Sequence, residues 1–374
     1  MKNLIVRFLS LIIIPYSLFA QTHPNPETLK PGDHAIDFNL EGVDGKMYSL
    51  SSFNDAKILV IIFSAPHCPT AQVYEQRIID VQKDYKDKGV QVVMINPNSP
   101  EALCLEEMAW TDLGDTFEDM KIRAKEKEFN FPFLNDSETE ETSMKYGPVA
   151  TPHCFVFDND RILRYVGRVD EAPEIELAKQ HDLRNAIDAV LAGNEVEVKQ
   201  TKVFGCSIKW KWKDEARKKL DAEWLENKVS LETLSVDQMR ELLKNDSKKL
   251  RVINVWATWC GPCVAEFSEL IDTYRMFMVR DFEMFTISTD KPDSKDNVLE
   301  FLQKKNAAIT GNYIFGSQNK YDLIENLDPE WSGEIPYTVI VEPGGEIVWR
   351  NSGNLDFYQF RKAIVDNRLI GRGY

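Results

Sequence analysis

The chain has 374 residues, which at roughly 150 residues per domain favours two domains over one small module. Its 43% hydrophobic and 28% charged residues are average for a soluble globular protein and fit neither a disordered polymer nor a multi-span membrane protein. A net charge of -15 repels phosphate backbones and disfavours nucleic-acid binding, and six cysteines are too few for a disulfide scaffold of this size.

Taken in chain order, Lys2 and Arg7 lead into the apolar run at residues 8–19, which ends at Ala20-Gln21 and turns polar. This pattern predicts a signal peptide over residues 1–20, cleaved after Ala20; the alternative is a retained anchor, opposed by Pro15 and the short apolar length. All six cysteines follow that segment and are expected in an exported, disulfide-permissive space, periplasm or cell envelope.

Residues 58–63 predict a buried strand leading to Cys68. A helix over 73–85 and a strand over 90–95 follow, that strand starting 22 positions after the cysteine. A helix is predicted over 117–127, and Thr151-Pro152 introduces a hairpin of residues 155–157 and 162–167. Between residues 194 and 250 the character changes, from a short β-like run at 196–198 to a Lys-rich stretch at 209–219. Asp214, Glu215 and Asp221 offset that charge, which reads as a solvated helix face. Ser235 is placed to cap an amphipathic helix over 236–243.

The second half repeats the first. Residues 252–256 lead to Cys260, the strand at 282–287 again starts 22 positions later, helices are predicted over 270–279 and 297–304, and Ile335-Pro336 introduces a hairpin of 338–341 and 347–353. Strands alternating with helices predict an α/β sandwich in each half, a sheet with parallel central strands and helices on both faces. The expected domains are 28–196 and 230–374, joined by a linker over 197–229.

Trp259-Cys260-Gly261-Pro262-Cys263 follows a strand and opens a helix. A thiol there faces the positive end of the helix dipole and free backbone N–H groups, which stabilise the thiolate. Cys260 is the expected nucleophile and Cys263, one helical turn on, the resolving thiol. A half zinc site and an inert structural disulfide are the alternatives; the second half carries no further Cys or His pair to complete a zinc site.

The run Trp256 to Cys263, Glu266, Gly333-Glu334-Ile335-Pro336 and the turn Gly345-Glu346-Ile347-Val348 resemble the TlpA/ResA branch of exported thioredoxin-fold proteins, over about residues 230–374. The resemblance implies a cis Ile335-Pro336 bond against the two sulfurs, with the backbone of Ile335 exposed to a substrate strand and Trp259 beside it. It also implies Glu266 as proton acceptor for Cys263, with a surface carboxylate as the alternative. Asn254 stands where cytosolic thioredoxins carry a buried Asp, and Ser268 stands where the branch usually has a helix-kinking proline.

The first half resembles the peroxiredoxin-like redoxin group over about residues 28–210. The resemblance is carried by Pro31-Gly32-Asp33, Phe38-Asn39-Leu40, Asp44-Gly45-Lys46, His67-Cys68-Pro69, Ala150-Thr151-Pro152 and Gly167-Arg168-Val169-Asp170. Together the two likenesses imply two tandem thioredoxin-like three-layer sandwiches. Cys68 keeps the nucleophile position with Thr151 and Pro152 as its substrate-side partners. Ala71 replaces a second cysteine, and Ala65 stands where a typical peroxiredoxin has Thr or Ser. The segment Phe204 to Trp210 looks like a tail that accompanies this group, and Cys206 within it is a candidate to resolve Cys68. Cys104 and Cys154 read as packed small hydrophobes. His153-Cys154 with His67-Cys68 invites a copper site, but adjacent strand residues point to opposite faces, so no metal is expected.

The function expected is an exported thiol-disulfide oxidoreductase that reduces disulfides of envelope proteins through Cys260 and Cys263, fed by a membrane thiol donor, with no cofactor. Two competing readings are a peroxidase at Cys68 recycled by the C-terminal pair, and a non-catalytic first half that docks clients for the second.

Overall fold

A run of six fully buried apolar residues, Ile58–Phe63, is stable only with both faces covered, and this places it at the centre of a sheet. The computed structural model describes residues 25–372; the expected signal peptide and its cleavage after Ala20 lie outside the described residues. The first half runs β1 (Asn39–Gly42), β2 (Met47–Ser49), β3 (Ile58–Phe63), α1 (Pro69–Tyr85), β4 (Val90–Asn96), α2 (Phe117–Glu126) and β5 (Phe133–Asn135). It continues through α3 (Glu141–Tyr146), β6 (Ala150–Thr151), β7 (His153–Phe157), β8 (Leu163–Gly167), α4 (Asp182–Leu191) and β9 (Cys206–Ser207). The main sheet has the order β2-β1-β5-β4-β3-β7-β8, with β3, β4 and β5 parallel and β7 antiparallel to β3. Alternate residues of β3 divide the core. Ile58, Val60 and Ile62 pack against α1, α2 and α4, while Leu59, Ile61 and Phe63 pack with Phe38, Phe53 and Tyr146 of α3.

After α5 (Asp214–Leu225), the second half runs β10 (Glu232–Leu234), α6 (Val236–Lys244), β11 (Leu250–Trp256), α7 (Gly261–Phe277), β12 (Phe282–Ser288) and α8 (Lys295–Lys304). Then come β13 (Gly311–Phe315), α9 (Lys320–Leu327), β14 (Tyr337–Val341), β15 (Ile347–Ser352) and α10 (Phe357–Val365). The sheet order is β10-β13-β12-β11-β14-β15, parallel through β11, β12 and β13. α7, α8 and α10 cover one face, and α6 and α9 the other. Both halves are three-layer α/β sandwiches of thioredoxin type. Ser235 caps α6 in a reciprocal box with Gln238.

Residues 196–198 form no strand; Val196 is a core plug against the first sheet, Val198 is exposed, and the β8 contact there is a bridge from Val166 to Gln200. Residues 197–229 hold β9 and α5. The Lys-rich face of α5 is laced by pairs one turn apart, Lys218 with Asp214 and Lys219 with Glu223.

The halves are joined by residues 100–115 of the first. Leu103 and Met108 enter the second half's core beside Leu250, Val252 and Leu270. Arg275 pairs with Glu106 and Asp221, Arg280 donates to the Ala109 carbonyl at 2.9 Å, and Arg372 holds the buried Asp112 with both terminal nitrogens, at 3.1 and 2.6 Å. Leu103→Ala therefore removes interface packing as well as a buried side chain and is expected to cost about 2–5 kcal/mol. In calorimetry the wild type is expected to melt in one transition and the variant in two, with the lower at reduced Tm; one unshifted transition would contradict the joint.

Candidate functional site

Each sheet delivers a cysteine to the same place. β11 ends at Trp256, which is locked between Phe267 and Phe301 with ring centroids 4.6 and 4.8 Å away. The turn that follows is held by Asp290, whose carboxylate accepts from the Thr258 N–H at 2.9 Å and its hydroxyl at 2.6 Å. Cys260 then caps α7, its sulfur accepting the Cys263 N–H at 3.3 Å, with Pro262 in the first turn where no N–H is needed. Cys260 and Cys263 are joined in a disulfide. Cys260 is the more exposed residue of the pair, 6% against 1% for Cys263.

Ile335-Pro336 is cis, and the Ile335 carbonyl lies 3.8 Å from the Cys260 sulfur. Trp259 is 62% exposed beside the pair, with the Lys320 ammonium over its ring. Glu266, one turn beyond Cys263, accepts the Leu355 N–H at 3.0 Å with one oxygen, while its other oxygen is buried without a partner. Burial, and next the charge of Glu269, raise its pKa above the ordinary carboxyl value. Such a group is a better proton acceptor than an ordinary surface carboxylate. Asn254 is buried and donates to the Thr338 hydroxyl, so it holds two strands together and offers no proton acceptor. α7 runs unbroken through Ser268.

In the first half, Cys68 caps α1 in the same way, with the Ala71 N–H at 3.3 Å, and Thr151-Pro152 is cis with the Thr151 carbonyl 3.3 Å from the Cys68 sulfur. Cys68 is fully buried. Its neighbour His67 is clamped by Asp115, which accepts the His67 backbone N–H at 3.0 Å and contacts Nδ1 at 2.5 Å. Asn98 steadies that carboxylate with a bond of 2.8 Å. Burial alone would lower the His67 pKa, but the Asp115 charge and hydrogen bond outweigh it and raise it. Burial would likewise raise the Cys68 thiol; a hydrogen bond from Cys206, the His67 charge and the Thr151 and Ala71 contacts bring it down to about 6. Cys206 is pushed up by that same hydrogen bond and by burial.

Cys68, Thr151, Pro152 and Cys206 are thus brought together, as are Cys260, Cys263, Ile335, Pro336 and Trp259. Cys104 and Cys154 lie apart: Cys104 caps the short turn at Leu105–Met108, and Cys154 sits in the sheet opposite Ile62. Burial raises both thiols, Cys104 to about 11, and leaves them protonated. His153 packs on Phe155 and burial lowers its pKa to about 3. Among the described residues no group of three or more His, Cys, Asp or Glu side chains is disposed to hold a metal. The sequence reading missed Asp115 and Asp290; each stands more than 30 positions from its partner, and no local pattern marks either.

The AhpC/TSA family matches this chain twice, over residues 31–166 and 228–350. The chain is 26% identical over 121 residues to the thiol-disulfide oxidoreductase ResA of Oceanobacillus iheyensis, covering 30% of this chain and 54% of that one. It spans about half the length of the ResA relatives it matches. A Mycobacterium tuberculosis protein with peroxiredoxin in its name is 28% identical over 153 residues, covering 40% of this chain and 85% of that one. A solved structure of an uncharacterized conserved protein from Geobacillus kaustophilus is 35% identical and covers 48% of this chain and 92% of that one, with a TM-score of 0.43.

The His67 charge is one of the forces that hold Cys68 as a thiolate, so Asp115→Asn is expected to move the Cys68 pKa from about 6 toward the ordinary 9.0. The pH profile of Cys68 alkylation by iodoacetamide, read by mass spectrometry, gives its midpoint; an unmoved midpoint would remove His67 from the account. The sign for stability follows. With a folded pKa below the unfolded one, the thiolate's contribution is fully present above pH about 9 and is lost as pH falls through about 6, and Asp115→Asn should flatten that slope.

Proposed function

The chain belongs to the AhpC/TSA family, and on that premise we propose that it is an exported thiol-disulfide oxidoreductase whose working dithiol is Cys260 and Cys263. The observation that carries this reading is the bonded pair at the head of α7, with the Cys260 sulfur against the carbonyl of Ile335. In the reduced protein the Cys260 thiolate, stabilised by the helix N-terminus, attacks a client disulfide and forms a mixed disulfide. Cys263, already within bonding reach, attacks the Cys260 sulfur and releases the client as a thiol. Glu266 accepts the Cys263 proton, for which its raised pKa suits it. The client segment lies in extended form along residues 333–335, adding a strand beside the proline, and Trp259 flanks it.

The proposed clients are disulfide-bearing envelope proteins, reduced with electrons from a membrane thiol donor. Residues 28–196 and 230–374 are the two proposed domains. Among the described residues no helix is long and apolar enough to cross a membrane. A peroxidase at Cys68 is the second reading, favoured by that thiol's pKa of about 6; Ala65 at the usual Thr or Ser position weighs against it. Stopped-flow peroxide consumption separates the two, since the leading reading expects none faster than a free thiol. If the first half only docks clients, Cys68→Ala is silent.

Cys260→Ser is expected to abolish reduction of insulin disulfides, and Cys263→Ser to accumulate the mixed disulfide. Full activity in Cys260→Ser would refute the assignment. Glu266→Gln should lower the rate roughly 10²-fold and remove the limb of the pH profile that rises as this carboxyl ionises; an unchanged profile would leave Glu266 a structural residue.

A further inference from the structure

The two halves present the same pair of groups, a helix-capping sulfur and the carbonyl before a cis proline, and differ in what lies along the chain before that proline. In the second half, residues 333–336 pair with no strand among the described residues. In the first half the matching edge is filled. β9 runs antiparallel to β6, with Cys206 opposite Thr151 and Ser207 opposite Ala150, and Cys206 packs on Cys68, Ala65 and Ala71.

The register is tightly held. Gly205 has φ +148°, and a Cβ there would stand 2.0 Å from the Thr151 carbonyl oxygen, so only glycine lets the strand approach this closely. Beyond it, Ile208 and Trp210 are buried at 1% and 2% exposure. The backbone of Lys209 is fixed on both sides: its N–H donates to the Asn98 side chain at 2.9 Å, and its carbonyl accepts from Ser99 at 2.9 Å. Asn98 is the same residue that steadies Asp115, so the tail's anchor and the His67 clamp share a side chain.

From this juxtaposition we propose that Cys68 and Cys206 form a second redox-active dithiol, in which residues 204–210 act as a tethered substrate strand, and that this site exchanges with low-molecular-weight disulfides and excludes extended protein strands. An external strand has no free edge to pair with, because β9 holds it. A small disulfide needs none; it has only to pass the partly buried Cys206 to reach the Cys68 sulfur beneath it. The Cys68 thiolate attacks the small disulfide, forming a mixed disulfide and expelling one thiolate. The second sulfur then attacks the mixed disulfide, closing the Cys68–Cys206 bond and expelling the other. Two protein thiols are oxidised, one disulfide is reduced to two thiols, and the two protons pass to the leaving groups. The depressed Cys68 pKa, with Cys206 as the hydrogen-bond donor to it, supplies the thiolate such exchange requires.

The test is a titration of the full chain in glutathione redox buffers, with acid quenching, alkylation and non-reducing peptide mapping. A peptide joining Cys68 to Cys206 is expected, with a midpoint of its own, and it should persist in a Cys260→Ser/Cys263→Ser double variant. Both thiols alkylated as free at the oxidising end, or found only as separate glutathione adducts, would overturn the proposal. Gly205→Ala should displace the strand and cut the linked peptide at least tenfold; undiminished linkage would overturn the tethered register. Should that variant not fold, Cys206→Ser decides: a persistent glutathione adduct on Cys68 is expected, and an unmodified Cys68 refutes the exchange site. Cys206→Ser leaves insulin reduction at wild-type rate, so this outcome is independent of the Cys260 assignment.

Discussion

A sulfur that caps a helix has to sit where a central strand stops and the helix begins, and much of each half is arranged around that requirement. The cap needs a buried strand to fix the start of the turn, a free backbone N–H three residues on, and room for no other acceptor. β3 and β11 meet the first need by lying between two parallel or antiparallel neighbours. Pro69 and Pro262 enter the first helical turn without competing for the cap. The antiparallel strand after each cis proline is what carries a carbonyl back to the sulfur from the other side, at 3.3 Å in one half and 3.8 Å in the other. Shift the register of either central strand by one residue and both contacts go, because successive side chains face opposite ways.

From that shared geometry the halves diverge in chemistry by few residues. Cys263 in the second half closes a bond on the cap itself, where Ala71 in the first offers only an N–H. The first half compensates electrostatically, by burying a His67–Asp115 pair beside the thiol. A buried pair of this kind is stable only when its remaining lone pairs are satisfied, and Asn98 and the His67 backbone do this for Asp115.

Much of this was legible in the sequence where the signal is local. The apolar runs of β3, β4, β11 and β12, the equal spacing from each cysteine, and the Ser235 cap are patterns that a few adjacent residues impose. What escaped depends on pairing across long separations. β9 is two residues long and has no periodicity to read; it exists because Ile208 and Trp210 are buried and drag Cys206 onto the edge at Thr151. The run 196–198 looked like a strand by composition, but one buried valine was enough to fix it without a ladder. Nothing local in residues 100–115 records that Leu103 and Met108 complete the core of the second half.

Occupation of the first half's edge by its own chain also has a concentration meaning. A segment tethered through a short connection is present at its site at an effective concentration on the order of mM. An untethered peptide of equal intrinsic affinity at micromolar abundance would be outcompeted roughly a thousandfold. Two copies of one fold can therefore occupy the same compartment without contending for the same polypeptides, and the missing Cβ at Gly205 is what lets the chain approach Thr151 closely enough to close on itself.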